Sequence, residues 1–140
     1  MKEICVKADT DNIDEVYEFI EGELNELGVS RKEVLVLHMI VDEIFSNIAY
    51  YAYKGDDGRV WISFHCEEGS DTVAITFKDE GSPFDPLRED EPDVDLPAGE
   101  RKPGGLGVYM VRNSVDDIRY EYSEGKNILT IIKKTGGNHV

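Results

Sequence analysis

Apolar residues recur along this chain with two different periods, and the switch between them marks out the elements. Ile4 and Val6 alternate with polar neighbours from Lys2 to Ala8, which predicts a short strand. From Ile13 the spacing turns helical: Ile13, Val16, Tyr17, Ile20, Leu24 and Leu27 fall on one face, and Gly28 supplies the stop. Asn12 followed by Glu15 has the spacing of a capping box at the start of that helix, and Ser30 with Glu33 repeats it for the next. This second helix carries Val34, Leu37, Val41, Ile44, Phe45 and Ile48 and runs to about Tyr53, where Lys54-Gly55-Asp56-Asp57-Gly58 breaks it. Period two then returns in Val60, Ile62, Phe64 and Cys66, and again in Val73, Ile75 and Phe77, with a turn at Glu68-Gly69-Ser70-Asp71 between them.

Residues 81–105 show little periodicity and hold all five prolines. A loop of that length inside a compact domain is expected to be functional, mobile or both. A third helix is expected from about Leu106 to Ser114, and a closing hairpin from Ile118, Tyr120 and Tyr122 to Ile128–Lys134, bending at Glu124-Gly125-Lys126-Asn127. Hairpin-linked strands and three amphipathic helices predict an α+β fold: a two-layer sandwich with a mostly antiparallel mixed sheet and helices on one face, read as one domain over residues 1–140.

Composition narrows the function. The 140 residues hold 15 Lys plus Arg against 30 Asp plus Glu, a net charge of −15 at pH 7. A field of that sign opposes direct binding of nucleic acid or of an anionic membrane. No run of about 18 uninterrupted apolar residues and no basic-then-apolar leader is seen, so a cytoplasmic location is expected. Cys5 and Cys66 are far apart in sequence, form no Cys-x-x-Cys motif and read as buried, reduced thiols.

Three places can carry chemistry. Glu43 and Asn47 lie one turn apart on the second helix; they suit either a solvated polar stripe or a proton acceptor beside a hard-metal ligand. Asp79-Glu80-Gly81-Ser82-Pro83-Phe84-Asp85-Pro86 begins where a strand ends. It suits a polar turn, or an acid able to accept from a base amino group, beside a glycine that lets a flat ring approach, with Phe84 as an apolar anchor. Gly104-Gly105-Leu106-Gly107 opens the third helix, where free N–H groups and the dipole favour phosphate. No Gly-Lys-Ser/Thr follows it and Gly107 precedes Val108-Tyr109-Met110, so neither a P-loop nor a dinucleotide fingerprint fits. His38, His65 and His139 show no metal-ligand spacing, and no serine sits in a nucleophile elbow.

In this order the three resemble the GHKL ATPase superfamily: Val41 to Tyr53 looks like its N box, Asp79 to Pro86 its G1 box and Gly104 to Val111 its G2 box. The Pro-Phe-Asp-Pro continuation and the Arg-x-x-Gly-Gly-Leu-Gly entry are most similar to bacterial anti-sigma-factor serine/threonine kinases. The resemblance implies a Bergerat-type ATP-binding fold with ATP and Mg²⁺ as cofactors. It assigns Glu43 as the base, Asn47 to Mg²⁺, Asp79 to the adenine amino group with Gly81 beside it, and Gly105, Leu106 and Gly107 to the phosphates. Leu87 to Pro103 becomes an ATP lid, with Arg101 near the terminal phosphate. The implied partners are a sigma factor and an anti-anti-sigma antagonist, and a homodimer is compatible with the reading. Tyr51 stands where many of these kinases have His, and residues 88–100 hold six acids against one base. The competing expectation is a nucleotide-gated protein-binding module with little catalysis. A detached histidine-kinase domain is disfavoured, since no phospho-acceptor His sits on a dimerising hairpin.

Overall fold

The structure is a computed structural model that describes residues 2–53, 57–83, 85 and 105–136. Five strands form one sheet: β1 (Lys2–Lys7), β2 (Arg59–Cys66), β3 (Thr72–Asp79), β4 (Asp117–Ser123) and β5 (Lys126–Lys134). Their spatial order is β1-β2-β3-β5-β4, and all four pairings are antiparallel. Three helices, α1 (Ile13–Glu26), α2 (Arg31–Asn47) and α3 (Gly105–Ser114), complete the fold in the predicted order.

The inward face of the sheet follows from alternation. Val60, Ile62 and Phe64 on β2, Val73, Ile75 and Phe77 on β3, and Leu129 and Ile131 on β5 are all buried. Against them α1 sets Val16, Ile20 and Leu24, and α2 sets Val34, Leu37, Ile40, Val41, Ile44 and Phe45. Each such side chain contributes about 1.5–3 kcal/mol of transfer free energy, and this apolar seam holds the two layers together. Within the 22 helical residues from Arg31 to Ala52, an 18-residue stretch has a mean hydropathy of 1.3, long and apolar enough by those measures to cross a membrane. Val34, Leu37, Ile40, Val41, Ile44, Phe45, Ile48 and Ala52 face the core, while Leu35, Met39 and Tyr50 are exposed.

The helix ends show where local signals held. Gly28 takes φ 73° just past α1, with Val29 N donating to Leu24 O at 3.1 Å, so its predicted stop is realised. The Ser30 hydroxyl accepts from Glu33 N at 3.3 Å, as its capping box requires, while the Glu33 carboxylate lies 3.4 Å from Lys133 Nζ. Asn12 does not cap α1 with its side chain. Asp9 starts a 3₁₀ turn (Thr10–Asn12) just upstream by accepting from Asp11 N, and the Asn12 amide donates back to Lys7 O instead. After Asn47 the helix continues as one π turn, Ile48–Ala52.

Two further expectations are corrected. The closing hairpin bends at only two residues, Glu124 (φ 55°) and Gly125 (φ 78°), so Asn127 belongs to β5 rather than to the turn. Cys5 is exposed, because period two puts it with Glu3 and Lys7 on the face opposite Ile4 and Val6; Cys66 is half-buried, and both thiols are free.

Candidate functional site

Asp79 ends β3 in phase with Val73, Ile75 and Phe77, so alternation carries a carboxylate onto the core-facing side of the sheet. It is only 2% exposed. Directly across on β5, in phase with Leu129 and Ile131, stands Asn127. Asp79 Oδ1 accepts from Asn127 Nδ2 and from Gly81 N, both at 2.9 Å. Asn127 Nδ2 also donates to Ser82 O at 2.9 Å, and its carbonyl accepts from the Tyr120 hydroxyl. Burial pushes the Asp79 carboxyl up, and the two N–H donors pull it partly back. Both donors converge on Oδ1, and no donor reaches Oδ2 among the described residues.

Gly81 has a second duty beyond the predicted close approach. A Cβ there would stand 2.3 Å from Ala52 O, the last residue of the π turn, and Ser82 N donates to that same carbonyl at 2.8 Å. The loop after β3 is thereby pinned to the end of the α2 helix. Tyr53 adds a second pin: its hydroxyl donates to Arg59 O at 2.6 Å and accepts from Glu80 N at 2.7 Å.

Glu43 and Asn47 share a face of α2 and look into the same cavity as Asp79, Tyr120 and Asn127. Its walls include Ile44, Ile48, Val111 and Leu129, and the space open to the centre of a water-sized sphere is about 30 Å³. Asn47 is 7% exposed. The Glu43 carboxyl is pushed up by burial and by the neighbouring Asp42 charge, and the Asn47 amide pulls it back. Its Oε1 is buried without a hydrogen-bond partner. An acid–amide pair at one end, a buried acid at the other and apolar walls between suit a flat polar ring on Asp79 and a cation near Glu43 and Asn47.

Among the described residues no group of three or more His, Cys, Asp or Glu side chains could hold a metal by itself. Asn47 Oδ1, with the Glu43 carboxylate one turn away, offers the one or two protein oxygens by which Mg²⁺ is commonly held, phosphate and water filling its other positions. Gly105, Leu106 and Gly107 form the first turn of α3, as expected, while their side-chain environment lies outside the description. Phe84, Arg101, Gly104 and most of the expected lid also lie outside the described residues. Asn127 and Tyr120 line the same cavity although no motif in the sequence marks them. Counting back by twos from Ile131 and Leu129 is the signal that would have placed Asn127 beside the core.

A helix-covered antiparallel sheet, with an acid at its floor and an acid–amide pair on the covering helix, defines an ATPase-domain architecture of the kind expected from the three boxes. The chain belongs to the histidine kinase-like ATPase domain family, whose model it matches over residues 6–133. It is 30% identical over 112 residues to the serine-protein kinase RsbW of Bacillus cereus (strain ATCC 10987 / NRS 248), covering 77% of this chain and 69% of that protein. RsbW of Listeria innocua is 28% identical over 115 residues, covering 79% of this chain and 72% of that protein. Among solved structures, the RsbU and RsbW domains of Rv1364c from Mycobacterium tuberculosis share the fold with a TM-score of 0.62 at 14% identity; the match covers 96% of this chain and 32% of that one. The mycobacterial sensor histidine kinase MprB shares it at 0.54 and 16% identity, covering 94% and 97%.

Proposed function

We propose that this chain is an ATP-dependent serine/threonine protein kinase of the anti-sigma type, which sequesters a sigma factor and phosphorylates an antagonist protein. The observation that carries the reading is the convergence of Asp79, Asn47 and Glu43 on one cavity from β3 and α2. Relatives named serine-protein kinases support the choice of hydroxyl acceptor.

In this reading Asp79 Oδ2 accepts the adenine amino group, and the apolar wall of Ile44, Ile48 and Leu129 covers the ring. Guanine presents a carbonyl at that position and meets a carboxylate, so adenine is selected. The phosphates run toward the first turn of α3, whose N-terminal dipole favours anions. Asn47 would hold Mg²⁺ together with the phosphates, and the ion would supply charge neutralisation for in-line transfer. Glu43, partly desolvated and raised in basicity, takes the proton of the incoming serine hydroxyl. Arg101 is assigned to the terminal phosphate and Phe84 to the adenine end.

The test is transfer of labelled γ-phosphate to a candidate antagonist alongside calorimetric binding of ATP and GTP. Transfer to serine with preference for ATP is expected. Tight ATP binding with no transfer would favour the nucleotide-gated binding module, a reading that draws on the six acids of residues 88–100. Equal affinity for the two nucleotides would overturn the adenine assignment.

A further inference from the structure

The alternation that turns Val60, Ile62 and Phe64 toward the helices turns Arg59, Trp61 and Ser63 the other way, onto the open face of the sheet. Lys7 on β1 stands in register with Arg59, and Lys78 on β3 stands in register with Trp61. Lys126 on β5 reaches across to the same ring, its Nζ 5.6 Å from the Trp61 centroid. These four cations surround one half-buried tryptophan. None of them forms an ion pair among the described residues. On a chain whose net charge is −15, this end of the open face has the opposite sign.

The acids that share the face do not neutralise it. The Glu3 carboxylate accepts from Ser63 Oγ at 2.8 Å, and Asp117 Oδ2 lies 2.9 Å from Arg119 Nε. Glu121 stands in register with Ile128, diagonal to Lys126, whose ammonium turns to Trp61 instead. Glu80, exposed one residue past β3, has its backbone N–H on the Tyr53 hydroxyl and pairs with none of the four cations.

We infer that this end of the open face binds a short acidic segment of a partner protein, whose carboxylates meet Lys7, Arg59, Lys78 and Lys126 while its chain crosses Trp61. Neighbouring strands lie about 4.8 Å apart, so β1 to β5 spans about 14 Å, the length of about four extended residues. That span suits a peptide better than a nucleic acid. A long polyanion overruns the patch onto the acidic remainder of the surface, beyond the roughly 8 Å over which the cations act in physiological salt. Asp79 and Asn127 alternate with Lys78 and Lys126 and face the cavity, so an occupant of the open face leaves the cavity unobstructed.

Trp61 is the chain's one tryptophan, so its emission reports on this face alone. Titration with acetylated, amidated hexaglutamate should change that emission saturably, with affinity falling as salt is raised. Lys78→Glu puts an acid beside the ring and should weaken the peptide about tenfold, read by anisotropy of a labelled hexaglutamate. Lys32→Glu alters the net charge equally from an exposed position at the start of α2, and should leave the affinity within about twofold. Lys7→Glu, on the exposed edge strand, is the second variant and should act like Lys78→Glu, with circular dichroism confirming each fold. No saturable change in Trp61 emission, equal losses in the Lys78→Glu and Lys32→Glu proteins, or tighter binding of an oligothymidylate of matching charge would each overturn the inference.

Discussion

Replacing Asp79 with Asn separates what the buried acid does for the fold from what it does for a ligand. The amide oxygen can take the place of Oδ1 and keep the bonds from Asn127 Nδ2 and Gly81 N, both 2.9 Å long in the parent. The amide nitrogen then stands where Oδ2 stood and presents a donor to the adenine amino group. Losing a charge-assisted bond and opposing two donors should weaken ATP by about 1–3 kcal/mol, roughly 5- to 150-fold in affinity. GTP should lose less, because its carbonyl now meets a donor. Stability should move the other way. The Asp79 carboxyl is raised above its ordinary 3.8 chiefly by burial, so the folded state binds this proton more tightly than the unfolded chain does. The favourable contribution is fully present below pH 3.8 and is lost as pH rises through the raised value. Neutral Asn avoids that loss, so the variant should melt higher than the parent at pH 7, with the gap closing as pH falls toward 4. The assays are calorimetric titration with ATP and GTP, and thermal melts across that pH range. An Asp79→Asn protein that binds ATP as tightly as the parent, or that melts lower at pH 7, would refute the reasoning.

Glu43→Gln keeps shape but removes the proton acceptor, so ATP should still bind while transfer to the antagonist falls about 10²–10⁴-fold, read by single-turnover phosphorylation. Asn47→Ala should instead weaken ATP only when Mg²⁺ is present, seen by comparing titrations with and without a chelator. Gly81→Ala drives a Cβ to 2.3 Å from the Ala52 carbonyl, backbone that cannot swing aside, and should cost about 1–3 kcal/mol in urea denaturation. Tyr53→Phe removes the acceptor for Glu80 N and the donor to Arg59 O, and should cost about 1–2 kcal/mol by the same assay.

The long elements were legible because their periodicity spans many residues. α2 is set by six core-facing apolar positions and a serine cap, and these agree. Glu43 and Asn47 came with it, since i, i+4 spacing on a helix fixes their relative direction. Asp79 could be placed because its strand alternates without interruption. Features that depend on distant chain were not legible. Asn127 meets Asp79 across 48 residues, and beside Gly125 it reads equally well as a bend. The π turn at Ile48–Ala52 has no local signature, although it aims the Ala52 carbonyl at Ser82. Asn12 misled because Asp9, three residues earlier, offered the chain an equivalent oxygen sooner.

The pairing of β3 with β5 has a consequence for how the chain can be lengthened. The floor of the cavity is closed by strands that are neighbours in space but separated in sequence by residues 80–125. The entropy of closing such a loop grows only with the logarithm of its length, so doubling it costs about 0.6 kcal/mol. Insertions between β3 and α3 should therefore be cheap, and that stretch is where related chains can diverge in size while keeping the same floor. The two-residue bend at Glu124–Gly125 has no such latitude. One added residue there shifts β5 by one position, turns Asn127 away from Asp79 and exchanges the buried and open faces of the strand. An insertion scan across the two loops should show tolerance at the first and collapse at the second.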